Sequence, residues 1–331
     1  MKDARSKLIV LALLGASLGV SRLSDQIDPY FLDILLGIGI NIILAVSLNL
    51  INGHTGQFSL GHAGFMAVGA YLSAALTSFL APRWLGAAPA GALTQAFFFA
   101  ALLAGGLAAA LAGLLVGIPS LRLRGDYLAI VTLGFGEIIR VILQNMEAVG
   151  GASGLHNIPQ ITSFFWTFGL AAVAVYVVVS LVNSTYGRGF IAVRDDEVAA
   201  AAMGINPTRY KVTAFVFGAF WAGIAGGLYA HLKTSLNPTG FDFMRSIEIV
   251  VMVILGGMGN TTGVIIAAVL LTLLPVGLRE LPTLSLDLAG RRIDLIWKEL
   301  LMILYALFII AMMMLRPQGL FTWTPRRKAG E

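Results

Sequence analysis

The sequence predicts an all-α polytopic membrane protein, a single transmembrane domain over residues 1–331 with about ten transmembrane helices. Three observations predict it. Of the 331 residues, 58% are hydrophobic and only 12% are charged, far below the charge content of a soluble domain. Apolar runs long enough to cross a bilayer recur along the whole chain. The Lys and Arg residues gather in the segments between those runs. A net charge of +5 distributed in this way is a topology signal and does not indicate nucleic acid as a partner; the partner it implies is the lipid bilayer. The chain has no cysteine, which excludes disulfides, thiolate metal sites and cysteine nucleophiles.

Lys2, Arg5 and Lys7 precede the apolar run 8–20. A basic start before a short apolar run also fits a cleaved signal peptide, but no small-x-small cleavage site follows, so the run is taken as a retained first span. Residues 31–51 form the second span, with Asn41 and Asn49 inside it, and a glycine-rich turn at 53–57 leads to the third span at 58–80. A loop at 81–91, carrying Pro82 and Pro89, precedes the fourth span at 93–118, dense in Ala and Gly. Arg122 and Arg124 lie in the connection to the fifth span, 127–146. A loop at 147–163 carries Gly-Gly-Ala-Ser-Gly-Leu from Gly150 to Leu155, and the sixth span is 164–182. The polar segment 183–211 separates it from the seventh span, 212–230. Residues 246–278 would make about 50 Å of helix, too long for one crossing of a core about 30 Å thick. The run Gly256-Gly257-Met258-Gly259-Asn260 marks a break, so two short crossings are expected. A charged loop at 279–299 and a last span at 300–315 complete the set and leave the tail 316–331 on the same side as the N-terminus.

Lys and Arg counting sets the sidedness. With the N-terminus inside, thirteen of the 22 fall on cytosolic segments and eight on external ones, with Arg140 inside a span. The segment 183–211 is then cytosolic, the loop 279–299 external, and the tail 316–331 cytosolic.

The segment 183–211 is the most polar internal stretch. Its centre runs Asp195-Asp196-Glu197 and then Val198 to Met203, good helix formers with acids at the end a helix dipole favours. Gly204 stops this helix, and Asn206-Pro207 turns the chain. Arg194 precedes it and Ala201 lies within its alanine run. A solvated connector is the plain alternative, but so apolar a face between two spans is expected to be a docking peg.

Several polar residues sit within or beside spans. Asn49, Gln57, Ser59 and His62 are expected to face the bundle interior, where they hydrogen-bond a neighbour or line a path. The small residues around them, Gly53, Gly56, Gly61 and Gly64, fit close helix packing. Glu137 and Arg140 share a face at i and i+3 and are expected to pair, either as a structural ion pair or as part of a gate.

No G-x-x-x-x-G-K-[ST] occurs, so the chain cannot itself cradle nucleotide phosphates, and no H-E-x-x-H or other metal-ligand cluster is present. Active transport would then draw on an ion gradient or on another subunit. Gly151-Ala152-Ser153-Gly154 matches the tetrapeptide of intramembrane serine proteases, but it lies among loop residues and lacks a helix-borne His as base.

Five blocks in order carry a family resemblance: residues 57–72, 121–140, 150–155, 194–211 and 252–263, with Arg-Pro-Gln-Gly-Leu from Arg316 to Leu320 at the end. Together they resemble the permease subunit of bacterial branched-chain amino acid ABC importers, of the LivM type. The resemblance implies a multi-pass protein of the inner membrane with a type II-like bundle similar to the ten-span vitamin B12 importers. It also implies a paralogous permease subunit as heterodimer partner, two cytosolic ATPases and a periplasmic solute-binding protein. Those ATPases bind Mg and hydrolyse ATP, and this chain binds no cofactor. The segment 183–211 becomes the coupling loop, with Arg194, Asp195, Asp196, Glu197, Ala201, Gly204, Asn206 and Pro207 facing the ATPase. Asn49, Gln57, Ser59, His62, Glu137 and Arg140 become candidates for the path or its gate. Arg279, Arg291 and Arg292 are expected to meet acidic residues of the binding protein. Relatives that carry urea, short amides or sugars remain an alternative. A secondary transporter is another, but it would need more intramembrane ionisable residues than Glu137 and Arg140, and inverted repeats.

Overall fold

The computed structural model describes residues 14–21, 27–85, 91–120, 126–279, 284–288 and 291–295, with residues 306, 307, 310, 311, 314 and 319 near the C-terminus. Residues 14–21 are helical. Helix α1 (Pro29–Asn49) starts where Asp28 accepts the backbone N–H of Tyr30 at 2.8 Å and Pro29 takes a first-turn position. It runs on through a π-helical turn, Leu50–His54, so the chain leaves the helix at residue 55, two residues into the expected glycine-rich turn. Helix α2 (His62–Ala75) likewise continues through a π-helical turn, Leu76–Leu80, and a short helix, Ala81–Leu85. Helices α3 (Ala92–Ser120), α4 (Asp126–Asn145) and α5 (Phe164–Asn183) follow.

The polar segment forms two helices, α6 (Thr185–Asp195) and α7 (Glu197–Ala202), where a single short helix is expected. The reason is local. Ser184 accepts the N–H of Gly187 at 3.1 Å and so begins a helix ahead of the acidic cluster. Asp196, with ψ at 110°, then ends α6 and caps α7. Helix α8 (Pro207–Lys233) is the central element. Residues 246–278 fall on two helices, α9 (Phe243–Gly256) and α10 (Thr261–Arg279), separated by a turn at residues 257–260. Gly257 and Gly259 take φ of 94° and 84° there, and a Cβ on Gly256 would overlap the backbone of Val264.

Among the described residues, six helices are long and apolar enough to cross a membrane: Pro29–His54, His62–Arg83, Ala92–Pro119, Tyr127–Asn145, Phe164–Asn183 and Pro207–Lys233. Thr261–Gly277 is a shorter apolar helix. The expected count of about ten is thus met in part. Residues 8–13 of the expected first span (8–20), most of the last span (300–315), and the tail 316–331 apart from Gly319 lie outside the described residues. The expected loop 279–299 holds an antiparallel hairpin, β1 (Leu284–Leu288) with β2 (Arg291–Leu295), Leu286 opposite Ile293. Its charge hides the cause, an apolar–polar alternation in Leu284-Ser285-Leu286-Asp287-Leu288.

The core is a junction of α2, α3 and α8 built on small residues. A Cβ on Gly69 would overlap the backbone of Gly223, one on Gly105 would lie 2.7 Å from the carbonyl of Gly69, and one on Gly113 would press on Ala219. Bringing backbones this close is how helices gain packing where lipid supplies no hydrophobic drive. His231 is buried in this layer and fully satisfied, bonded to Thr77 at 2.7 Å and to the carbonyl of Gly227 at 2.7 Å. Gly69→Leu is therefore expected to cost more than the about 1–3 kcal/mol of ordinary overpacking, because the obstruction is backbone. The measurement is the yield of monodisperse protein in detergent and its melting temperature; wild-type values for Gly69→Leu would contradict this packing.

The Gly-Gly-Ala-Ser-Gly-Leu loop is a structural staple. Gly150 and Gly154 adopt φ of 89° and 86°, and Leu155 exchanges backbone hydrogen bonds with Leu236 at 2.9 and 2.8 Å. Ser153 sits in a 3-10 turn, and its hydroxyl donates to the carbonyl of Gly150 at 2.7 Å. It carries no activated nucleophile.

Candidate functional site

At the coupling end of the bundle, α7 is assembled by local chemistry. Asp196 accepts the N–H groups of Val198 and Ala199 at 2.8 and 3.0 Å. At the far end Gly204 takes φ of 83°, and its N–H and that of Ile205 return to the carbonyls of Ala201 and Ala200, each at 3.0 Å. This is the paired closure of a Schellman end. Asn206 then accepts the N–H of Arg209 at 3.2 Å and Pro207 opens α8.

An ion pair and a cluster of rings help hold this unit to the bundle. Lys211 is buried on α8, and its Nζ meets Glu197 at 2.7 Å. The rings of Tyr186 and Tyr210 lie 4.5 Å apart, with Phe190 edge-on to both. The sequence alone does not single out Lys211; its position in the first turns of a span is the available signal. What α7 leaves uncovered is apolar: Val198 is 67% and Met203 82% exposed, while Ala200 faces inward and Ala201 outward. Asp195 pairs with Arg194 at 2.8 Å on the outer side.

Arg194 also joins the coupling unit to two other elements. A Cβ on Gly56 would lie 2.9 Å from Arg194 Cγ, and one on Gly259 would lie 3.3 Å from its Nη1. Asn49 Oδ1 accepts the N–H of Gly259 at 2.9 Å, and Gly53 leaves no room for a side chain against Gly259. Gly319 packs on Gly257. The π-helical end of α1, the α9–α10 turn, the coupling unit and the start of the tail therefore meet at one place. π-helical turns recur at functional sites in proteins.

Inward from this junction lies a buried polar seam. Asn49, Asn52, His54, Thr55, Gln57, Ser59 and His62 are all buried. His62 Nε2 bonds Ser47 Oγ at 2.9 Å, Ser59 N–H donates to Asn52 Oδ1 at 3.2 Å, and Gln57 Nε2 donates to Thr55 Oγ1 at 3.1 Å. Asn49 Nδ2, Gln57 Oε1, Ser59 Oγ and His62 Nδ1 find no hydrogen-bond partner among the described residues. Buried polar atoms are normally paired by protein or by ordered water, so this group makes the seam the candidate wetted stretch of the bundle. Asn52 and His54 belong to the seam although they read as part of a turn in the sequence.

Glu137 and Arg140 pair as their spacing requires, at 2.7 Å, midway along α4, with side chains 32% and 24% exposed. They sit apart from the seam. Gly61 and Gly64 bring α2 onto α4 beside Thr132 and Gly136, on a neighbouring face. Of the expected docking cations, Arg279 ends α10, and Arg291 and Arg292 open β2. No cluster of three or more potential metal ligands occurs among the described residues.

Residues 30–315 match the model of the family described as "Branched-chain amino acid transport system / permease component". The chain is 34% identical to the high-affinity branched-chain amino acid transport system permease protein LivM of Salmonella typhimurium, covering 97% of this chain and 76% of the relative. It is 35% identical to the protein of the same name from Escherichia coli K12, covering 88% and 68%. No solved structure gives a significant match.

Proposed function

The chain belongs to the permease family of branched-chain amino acid transport systems, and from that premise we propose that it is the inner-membrane path-forming subunit of an ABC importer for leucine, isoleucine or valine. A periplasmic binding protein delivers the amino acid to the end bearing Arg279, Arg291 and Arg292. A paralogous permease chain covers the remaining face, and two cytosolic ATPases dock on α7. The observation that carries this reading is the exposed apolar cap of α7, Val198 and Met203, set on a charged end of the bundle and anchored through Lys211. An apolar surface of this kind is expected to be covered by a partner.

Arg194 gives the docked ATPase a lever. Movement of α7 is passed through α6 to Gly56 and to the α9–α10 turn, which abut the polar seam. Asn49, Gln57, Ser59 and His62 then change partners as the path opens and closes, which accounts for atoms left unbonded in one arrangement. Glu137 and Arg140 face the partner chain, where a half-buried ion pair is sheltered from lipid.

The test is reconstitution. Co-expressed permeases and ATPases in proteoliposomes are expected to take up leucine only with ATP inside and binding protein outside. Uptake by this chain alone, driven by an ion gradient, would overturn the reading. Replacing Arg291 and Arg292 by Glu is expected to weaken stimulation by the binding protein; unchanged uptake would remove them from the docking surface.

A further inference from the structure

At the end opposite the coupling unit, α1, α8, α9 and α10 line a half-open cavity of about 300 Å³. That is at the small end of the range for ligand clefts, roughly 300 to 1,000 Å³. Asp33 and Asn41 both line it, and eight helical residues set them about 12 Å apart along α1. The cavity thus reaches from the rim toward the middle of the bundle. Gly37 lies between them, and a Cβ there would have nothing within 4 Å. Unlike the packing glycines of the core, this one opens space.

Charges of both signs converge on the cavity from three helices. Lys233 of α8 meets both oxygens of Asp33, at 2.8 and 3.1 Å. Arg245 of α9 donates to Asn41 Oδ1 at 2.9 Å and to Glu248 at 2.8 Å, with its guanidinium 6.0 Å from the centre of the Tyr229 ring. Asn41 donates in turn to Thr272 at 2.9 Å, which fixes the acceptor oxygen toward Arg245. Ile34, Ile40, Leu232 and Val276 complete the wall with aliphatic surface. Beyond the floor at Asn41, polar side chains continue on the same helix with Ser47 and Asn49, leading to His62.

Arg245 lies in the first turn of α9 with its side chain 22% exposed, yet its guanidinium is drawn to Asn41, halfway along α1, and a charge held at that level is expensive unless it is used. The Lys233–Asp33 pair is nearly half exposed, so it contributes little to stability and is readily exchanged for ligand charges. Arginine and lysine are donors only, and the carboxylate of Asp33 is an acceptor only. A ligand that satisfies both ends must carry an anion and a cation a few ångströms apart, with an aliphatic group beside them.

We propose that this cavity is a receiving site for a free aliphatic α-amino acid. Arg245 and Lys233 take its carboxylate, Asp33 takes its ammonium group, and its side chain lies on Ile34, Ile40, Leu232 and Val276. The site is where a solute released by the binding protein is held before passage along the seam, and in its choice of amino acid it rests on the transport reading above.

The probe is tritiated L-leucine, added to the assembled permease–ATPase complex in nanodiscs without binding protein. Saturable binding is expected. 4-Methylpentanoate, which lacks the ammonium group, and 3-methylbutylamine, which lacks the carboxylate, are each expected to compete at least about tenfold less well than leucine. Gly37→Leu fills the cavity from a position with free space around it, so the complex is expected to assemble with wild-type melting behaviour and to lose leucine binding. Arg245→Gln is expected to lose it as well. Equal competition by the two half-ligands overturns the proposal without any variant, and so does binding that survives in a folded Gly37→Leu complex. Binding-protein-dependent leucine uptake is measured on the same preparation. Intact uptake with no saturable binding overturns this site alone; absent uptake overturns the transport reading and this site with it.

Discussion

Glu197→Arg is expected to abolish leucine uptake by the assembled importer while the membrane bundle stays folded. Glu197 is the first residue of α7 and ties it to α8 through Lys211 at 2.7 Å. Lys211 is nearly buried, so reversing the charge opposite it leaves an unpaired ammonium facing a guanidinium. Breaking a mostly buried pair in this way costs on the order of 3 kcal/mol. A helix of six residues has no independent stability with which to resist. It is expected to leave its place, and the cap formed by Val198 and Met203 goes with it. The junction of α2, α3 and α8 does not touch these groups, so melting of the bundle should change little. Gly204→Leu reaches the same end by another route. Its φ of 83° costs a residue with a Cβ about 1–2 kcal/mol. Nothing among the described residues lies within 4 Å of that Cβ, so the new side chain projects into the proposed docking surface beside Met203. For both variants, uptake in proteoliposomes is expected to fall at least tenfold, with ATP hydrolysis no longer responding to the binding protein. Normal uptake by both would remove α7 from the coupling role.

What the sequence makes legible here is what is local. The long apolar runs announce the spans because no soluble core could absorb them. Gly204, Asn206 and Pro207 announce the end of α7 and the start of α8 because their chemistry acts within a turn. The break at Gly257 and Gly259 is visible for the same reason. The hidden features are pairings between distant residues. Lys233 and Arg245 count in the sequence as external-loop charges; only the fold brings Asp33 to one, 200 residues away, and Asn41 to the other. Arg194 reads as a coupling-loop charge until Gly56 and Gly259 are seen against it. The opposite error is also local in origin. Gly151 to Gly154 matches a protease tetrapeptide because four residues carry no record of the strand-like bridge between Leu155 and Leu236 that they serve. Two helices stand where one is expected in the coupling segment, because a serine cap at Ser184 is a weaker signal than the acid cluster after it.

Splitting the Glu137–Arg140 pair separates its two possible roles. Arg140→Ala leaves a carboxylate near the middle of α4, and Glu137→Ala leaves a guanidinium there. A lone charge at a helix centre costs roughly 2.5–3.5 kcal/mol on insertion scales, so each single variant is expected to melt earlier and to transport poorly. The double variant Glu137→Leu with Arg140→Leu removes both charges. Replacing a pair by apolar residues of similar volume is often neutral or stabilising, so the melting temperature is expected to return to within about 1 kcal/mol of wild type. Uptake decides between the roles. A pair that only braces α4 would give transport back together with stability. A pair that faces a wetted path shared with the partner chain would not, since the leucines leave the path without polar groups at that level. The expected result is restored stability with uptake still at least tenfold down. Full recovery of uptake in the double variant would assign Glu137 and Arg140 to bracing alone and leave the path to the seam of Asn49, Gln57, Ser59 and His62.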